Sequence, residues 1–118
     1  MQSYFNFGYG FSGDLLSDDE FDAILNHMIL TSSGNIGLRF ISFSEDITGK
    51  NNGSIVLLPL GEVNHYGKLA SSEQMLHIIR NHNHIPEPAL QEMYVLLEQH
   101  GLTRLKKEIQ LIFYMDNY

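Results

Sequence analysis

The chain contains no cysteine, no tryptophan and few basic residues, with seven lysines and arginines against fourteen carboxylates. Without cysteine there are no disulfides, thiolate zinc sites or thiol nucleophiles, so disulfide-rich secreted scaffolds and cysteine hydrolases are excluded together. A signal peptide needs a basic start followed by an apolar stretch, and no lysine or arginine precedes Arg39. We therefore expect a cytoplasmic protein without an export signal.

Long apolar runs are also missing. The longest, near residues 55–60, falls far short of the roughly 18 residues that suggest a membrane span. Binding to a phosphate backbone or to anionic headgroups draws on clustered lysine and arginine, which a chain of net charge −7 does not offer. The composition therefore predicts no direct nucleic-acid binding and no membrane association, and favours a basic protein partner.

The pattern of the chain predicts one domain covering residues 1–118, since a chain of this length with 43% hydrophobic residues can bury a single core. Aromatic residues interleaved with glycine over residues 4–11 predict a first strand. Residues 36–43 and 55–60 predict two strands joined by the glycine- and asparagine-rich turn at 48–53. We expect an α+β fold with a small, mostly antiparallel sheet of three to four strands, packed with three to four helices.

Three helices are predicted from their start and stop signals. Ser17 to Glu20 and Ser71 to Gln74 match capping boxes, and Pro86 with Pro88 opens the third helix, which Gly101 ends. The first helix is predicted to run to Gly34, with a buried stripe at helical spacing formed by Phe21, Ile24, Leu25, Met28 and Ile29. The inward positions of the second are expected to be Met75, Leu76, Ile78 and Ile79.

The tail at residues 103–118 fits two patterns. Leu105, Ile109, Ile112 and Phe113 suit a helix, whereas alternate residues from Ile109 to Met115 suit a strand. We favour the helix.

Gly8 to Gly13 spells G-x-G-x-x-G, the glycine pattern of dinucleotide-binding loops. A phosphate would lie at the positive end of the following helix, where Asp18, Asp19 and Glu20 would repel it. We therefore interpret the glycines as relief of crowding, or as bulges, in an aromatic strand.

The histidines His77, His82 and His84 form a second candidate site. Imidazole is a common zinc ligand, but a catalytic zinc needs three protein ligands and a structural one four. The favoured interpretation is a polar interhelical loop, so we predict no metal, no cofactor and no catalytic residue. The alternative is a small metal- or histidine-dependent enzyme using these three histidines.

The acidic stretch is the preferred candidate for function. Carboxylates in the first turn of a helix stabilise its dipole, and the same charges gathered on one face accelerate encounter with a basic partner. Aromatic anchors are expected from Tyr4, Tyr9, Phe11 and Tyr66. The predicted partner-binding residues are Asp14, Asp18, Asp19, Glu20 and Asp22.

In size, acidity and lack of catalytic signatures, the chain is similar in type to the immunity proteins that neutralise nuclease toxins. That similarity implies a non-enzymatic inhibitor, an antitoxin, whose carboxylates pair with arginines or lysines of a toxin or other nucleic-acid-acting enzyme. A phage-encoded inhibitor of a host defence nuclease would bind through the same pairing of carboxylates with cationic side chains. It is therefore an open alternative.

Overall fold

A computed structural model describes residues 3–29, 35–46, 51–64 and 71–117. The described chain forms an α+β unit with a four-stranded antiparallel sheet and three helices, as predicted. In chain order the elements are β1 (Ser3–Ser12), α1 (Asp18–Leu25), β2 (Arg39–Asp46), β3 (Asn51–Asn64), α2 (Ser72–His82), α3 (Glu87–Gln99) and β4 (Gln110–Asn117). Short 3₁₀ segments at Gly13–Leu15 and Thr103–Glu108 precede α1 and β4.

The sheet closes on itself in the order β1, β3, β2, β4. β2 and β3 form the predicted antiparallel hairpin, although residues 47–50 of its turn lie outside the described ranges. β1 pairs with β4 in unbroken register, from Ser3 opposite Asn117 to Gly10 opposite Gln110. Each strand therefore has a neighbour on both sides, although β2 and β4 pair only over Ser44–Asp46.

Two glycines of β1 let the sheet curl tightly against β3. A Cβ atom on Gly8 would lie 2.5 Å from the carbonyl oxygen of Leu58, and one on Gly10 would lie closer still to that of Ile55. The β1–β3 register shifts beside both glycines, between Phe7 and Gly8 and between Tyr9 and Gly10. The interpretation as crowding relief and bulges is confirmed.

The main core lies between the sheet and the helices. The aromatic positions of β1 that alternate with the glycines all point into it, as the alternation of side chains along a strand predicts. Its buried members are Phe5, Phe7, Tyr9, Phe11, Ile24, Leu38, Ile55, Leu57, Met93, Leu97, Leu102, Leu105, Leu111 and Phe113. A smaller cluster of Val56, Ile112 and Tyr114 is also buried, and Ile41 packs against it.

Both predicted capping boxes are present. The hydroxyl of Ser17 accepts from the N–H of Glu20 while the Glu20 carboxylate accepts from the N–H of Ser17, and Ser71 and Gln74 repeat the arrangement at α2. α3 begins after Pro86 and is followed by Gly101 at φ 69°, the left-handed stop that the sequence predicts. In the described ranges, no helix combines the length and apolar character that crossing a bilayer requires.

The prediction for the end of the first helix was wrong. α1 ends at Leu25, because the chain turns there to reach the sheet: Met28 forms a parallel bridge with Leu38, and the N–H of Ile29 donates to the Leu38 carbonyl at 2.8 Å. Ile24 is buried, whereas Leu25 is half exposed. The predicted stop, Gly34, lies outside the described residues.

The helix favoured for residues 103–118 was also wrong. Residues Thr103–Glu108 form a 3₁₀ segment that buries Leu105, and the rest of the tail is β4. The strand pattern prevails because β4 bonds β1 on one side and β2 on the other, which satisfies backbone groups that both strands would otherwise expose.

Candidate protein-binding surface

The predicted partner-binding carboxylates lie on the 3₁₀ segment and on α1. Asp14 belongs to Gly13–Leu15, while Asp18 and Asp19 occupy the first turn of α1 and Asp22 its second. These four side chains are exposed. We call Asp14, Asp18, Asp19 and Asp22 the acidic face.

Glu20 differs from the other four because its carboxylate has partners within the chain. It accepts from the N–H of Ser17 at 2.9 Å and from Arg104 Nη2 at 2.7 Å, and Arg104 Nη1 pairs with its second oxygen. The same guanidinium donates to the Leu15 carbonyl at 2.8 Å. Hydrogen bonds from Arg104 and Ser17 lower the pKa of Glu20 to about 2. Glu20 therefore ties α1 to the segment before β4, 84 residues away.

Three members of the acidic face have no ion-pair partner within the described chain. Among the described residues, no lysine, arginine or histidine lies within ion-pair distance of Asp18, Asp19 or Asp22. Arg39 is buried and bonds backbone carbonyls, and Lys106 pairs with Glu98. The amino end of α1 stabilises the carboxylates of its first turn through the helix dipole.

Two aromatic rings lie beside these carboxylates. Phe40 of β2 and Phe21 of α1 meet edge to face, with ring centroids 5.3 Å apart and planes at 87°. The Phe40 ring also lies over Gly53, since a Cβ there would come within 3.2 Å of it, and close to Gly13. Phe40 is 44% exposed, so it is an aromatic side chain that a partner can reach.

The aromatic anchors expected from sequence do not include Phe40. Tyr9 and Phe11 are buried in the core at 2% and 0% exposure, so they cannot contact a partner and that expectation was wrong. The side chain of Tyr4 and the whole of Tyr66 lie outside what the structure describes. Residues 36–43 are apolar on both faces, so their pattern alone did not reveal which ring stays exposed.

The three histidines have separate environments. His77 Nε2 lies 3.1 Å from Asn81 Nδ2, the His82 ring packs against Phe7 with centroids 5.0 Å apart, and His84 is exposed. In the part of the chain that the structure describes, no three histidine, aspartate or glutamate side chains gather to hold a metal ion. His77 and His82 belong to α2, so the interpretation of these histidines as an interhelical loop was wrong for both, and only His84 lies between α2 and α3.

A cavity of about 180 Å³ lies beside this loop, between the end of α2 and the start of β4. Ligand pockets are commonly 300–1,000 Å³, so this one is small. The Tyr9 hydroxyl at its wall donates to the His82 carbonyl at 2.7 Å, and burial raises the pKa of that phenol. The lining residues are Tyr9, Ile79, His82, Asn83, Ile85, Ile109, Gln110 and Leu111. They provide an apolar recess without an arrangement for nucleophilic or metal chemistry.

Comparisons of the chain with protein-family models, with curated proteins and with solved structures found no match.

Proposed function

We propose that this protein is a small cytoplasmic binding module, without enzymatic activity of its own, that recognises and inhibits a more basic protein. The partner class that fits is a nuclease toxin or another nucleic-acid-acting enzyme, with this chain as its immunity protein. The alternative partner is a host defence nuclease, for which this chain would be a phage-encoded inhibitor. Such a nuclease also binds nucleic acid through a groove lined by cationic side chains, so it fits equally well.

The observation that carries this proposal is the contrast within the predicted carboxylates. Glu20 is held by Arg104, whereas Asp18, Asp19 and Asp22 are exposed with no cationic side chain within ion-pair distance in the described chain. The proposal therefore relies on Asp18, Asp19 and Asp22, whereas Glu20 stabilises the contact between α1 and the segment before β4.

The mechanism follows from long-range electrostatics. An enzyme that binds nucleic acid presents clustered lysine and arginine to the phosphate backbone, and a protein of net charge −7 with one acidic face is attracted to the same cluster. Such complementarity raises the association rate and disfavours like-charged competitors. Once docked over the groove, the protein excludes nucleic acid by occupying its place.

The test compares the wild-type protein with a variant in which Asp14, Asp18, Asp19 and Asp22 are changed to asparagine. Both are used as bait in extracts of the source cell. Any basic protein retained by the wild type alone is purified, its association rate is measured at several salt concentrations, and its nuclease activity is assayed with and without the bait. A matched control changes Glu62, Glu73, Glu87 and Glu92 to glutamine, which removes four exposed charges from β3, α2 and α3 instead.

The expected result is a partner whose association rate falls about tenfold or more in the variant and falls with salt, while the control behaves as the wild type. The partner's nuclease activity is expected to be blocked by the wild-type protein. Recovery of no cationic partner, together with unchanged binding after neutralising the acidic face, would contradict the proposal.

A further inference from the structure

Exposed apolar side chains are concentrated next to the acidic face. Of the large hydrophobic residues that the described surface exposes, Leu15, Leu25 and Phe40 belong to the 3₁₀ segment, α1 and β2. The other two, Leu76 and Val95, lie on α2 and α3. Isolated exposed apolar residues need no explanation, but neighbouring ones mark candidate contact surfaces.

Helix periodicity places the charges and the apolar side chains on the same side of α1. Asp18, Phe21 and Leu25 follow one another at spacings of three and four residues, and so do Asp18, Asp22 and Leu25. Phe40 joins this side through its edge-to-face contact with Phe21. Carboxylates and apolar groups therefore alternate over one continuous area, which we call the mixed patch: Asp18, Phe21, Asp22, Leu25 and Phe40.

The Phe40 ring is held in place before any partner arrives. Phe21 contacts it from α1 and Gly53 lies beneath it, so its orientation is constrained on two sides. An aromatic side chain loses little conformational entropy on binding, and aromatic residues are common among those that contribute most to affinity at interfaces.

We propose that the mixed patch recognises a protein segment in which an apolar side chain is flanked by arginine or lysine. The apolar side chain packs on Phe40 and Leu25, and the flanking cations pair with Asp18 and Asp22. This inference rests on the proposed function and adds the source of affinity to it: the carboxylates set the association rate, and Phe40 sets the dissociation rate.

The negative charge of the mixed patch favours a cationic protein segment over the other ligands that an apolar surface can bind. A second copy of this chain would bring its own acidic face against the first, and like charges across an interface are unfavourable. Anionic headgroups are repelled in the same way. A cationic segment with an apolar side chain satisfies both halves of the patch.

The probes are two synthetic peptides of equal length and charge, one alternating arginine with leucine and the other arginine with serine. Their affinities for the wild-type chain are measured by fluorescence anisotropy, and contacts are mapped by amide chemical shifts. Phe40→Ala tests the anchor, and Leu25→Ser tests the patch from a second element. Val95→Ala is the matched control, because Val95 is 49% exposed on α3.

We expect the wild type to bind the leucine peptide about tenfold more tightly than the serine peptide, as burial of one apolar side chain predicts. Phe40→Ala should remove most of that preference and leave binding of the serine peptide unchanged. Leu25→Ser should lower the preference by a smaller factor, and Val95→Ala should retain it.

The proposal is overturned if the wild type shows no preference between the peptides, or if the preference survives Phe40→Ala. It is also overturned if sedimentation shows a wild-type dimer that Phe40→Ala dissociates, since the occupant is then a second copy. The proposed function fails separately, when neutralising the acidic face leaves binding of both peptides unchanged. A third outcome is that the wild type shows no preference for the leucine peptide, while neutralising the acidic face weakens binding of the serine peptide. That outcome supports the proposed function and rejects Phe40 as an anchor.

Discussion

The mixed patch and the corner where α3 meets the Thr103–Glu108 segment both combine apolar and charged side chains, but these side chains differ in burial and in pairing. In the corner, Met93, Leu97 and Leu105 are buried, and Lys106 pairs with Glu98. In the mixed patch, Leu25 is half exposed and Asp22 has no cation within ion-pair distance among the described residues.

The difference shows which side chains folding requires. In the corner Met93, Leu97 and Leu105 contribute buried area and Lys106 is paired within the chain, so stability accounts for these residues. Exposed apolar groups beside unmatched carboxylates add little to stability. We attribute their arrangement to the proposed binding, and we therefore expect substitutions in the two regions to affect different measurements.

The largest expected effect comes from truncating one leucine in each region. Leu97 is 0% exposed in α3, so Leu97→Ala should lower the free energy of unfolding by about 3 kcal/mol through lost burial and a cavity. Leu25→Ala, at 50% exposure in α1, should lower it by less than about 0.5 kcal/mol. Urea denaturation of both variants measures the difference. Equal losses would show that the mixed patch is part of the core.

The next effect concerns the sheet that supports both regions. Gly10→Ala should cost about 2 kcal/mol, because its Cβ would overlap backbone atoms of Ile55 and Val56 that cannot move independently. Gly61→Ala is the control, since its Cβ would meet the Phe7 ring at an ordinary 3.4 Å. Thermal unfolding compares them. If Gly10→Ala were as stable as Gly61→Ala, the tight curl of β1 against β3 would be wrong.

A smaller effect is expected at the caps of the two helices. Ser17→Ala at α1 and Ser71→Ala at α2 each remove a hydroxyl that accepts from a backbone N–H, and each should cost about 1 kcal/mol. Because the capping box at α1 also orients Glu20, only Ser17→Ala should weaken the link to Arg104 as well. Double-mutant cycles with Arg104→Gln measure that coupling. Equal coupling of Ser71 and Ser17 to Arg104 would contradict it.

The smallest expected effect is a pH dependence from Glu20. Its folded-state pKa of about 2 lies below the ordinary 4.5, so its contribution to stability is complete above pH 4.5 and is lost as the pH falls toward 2. Wild type should therefore lose its advantage over Glu20→Gln in that interval. Melting temperatures of both proteins against pH test this, with the Arg104→Gln background as control. A difference that stays constant down to pH 2 would contradict the assigned ion pair.

Local signals predicted much of the fold. The capping boxes, the proline opening of α3 and Gly101 each act within one or two turns, so the sequence alone identifies them. The end of α1 and the structure of the tail depend on residues that are distant in the sequence. Met28 forms a β-bridge with Leu38, and β4 pairs with β1. Periodicity does not contain that information.

The candidate site was predictable to the same degree. Five neighbouring carboxylates are visible in the sequence, but the separation of Glu20 from the rest depends on Arg104, which is far away in the chain. Phe40 was missed because its strand is apolar on both faces. An expectation that named Tyr9 and Phe11 chose aromatic residues by type, whereas exposure is decided by how the sheet closes.

The proposed binding depends most on negative electrostatic potential at the acidic face, and that potential can be measured without a partner. Matched cationic and anionic nitroxide cosolutes relax amide protons according to the local charge, so the ratio of the two effects reports the potential at each residue. We expect the cationic probe to dominate most strongly at residues 18–22, and least at 106–107, where two lysines lie. A ratio that is uniform along the chain, or larger at 106–107, would contradict the account.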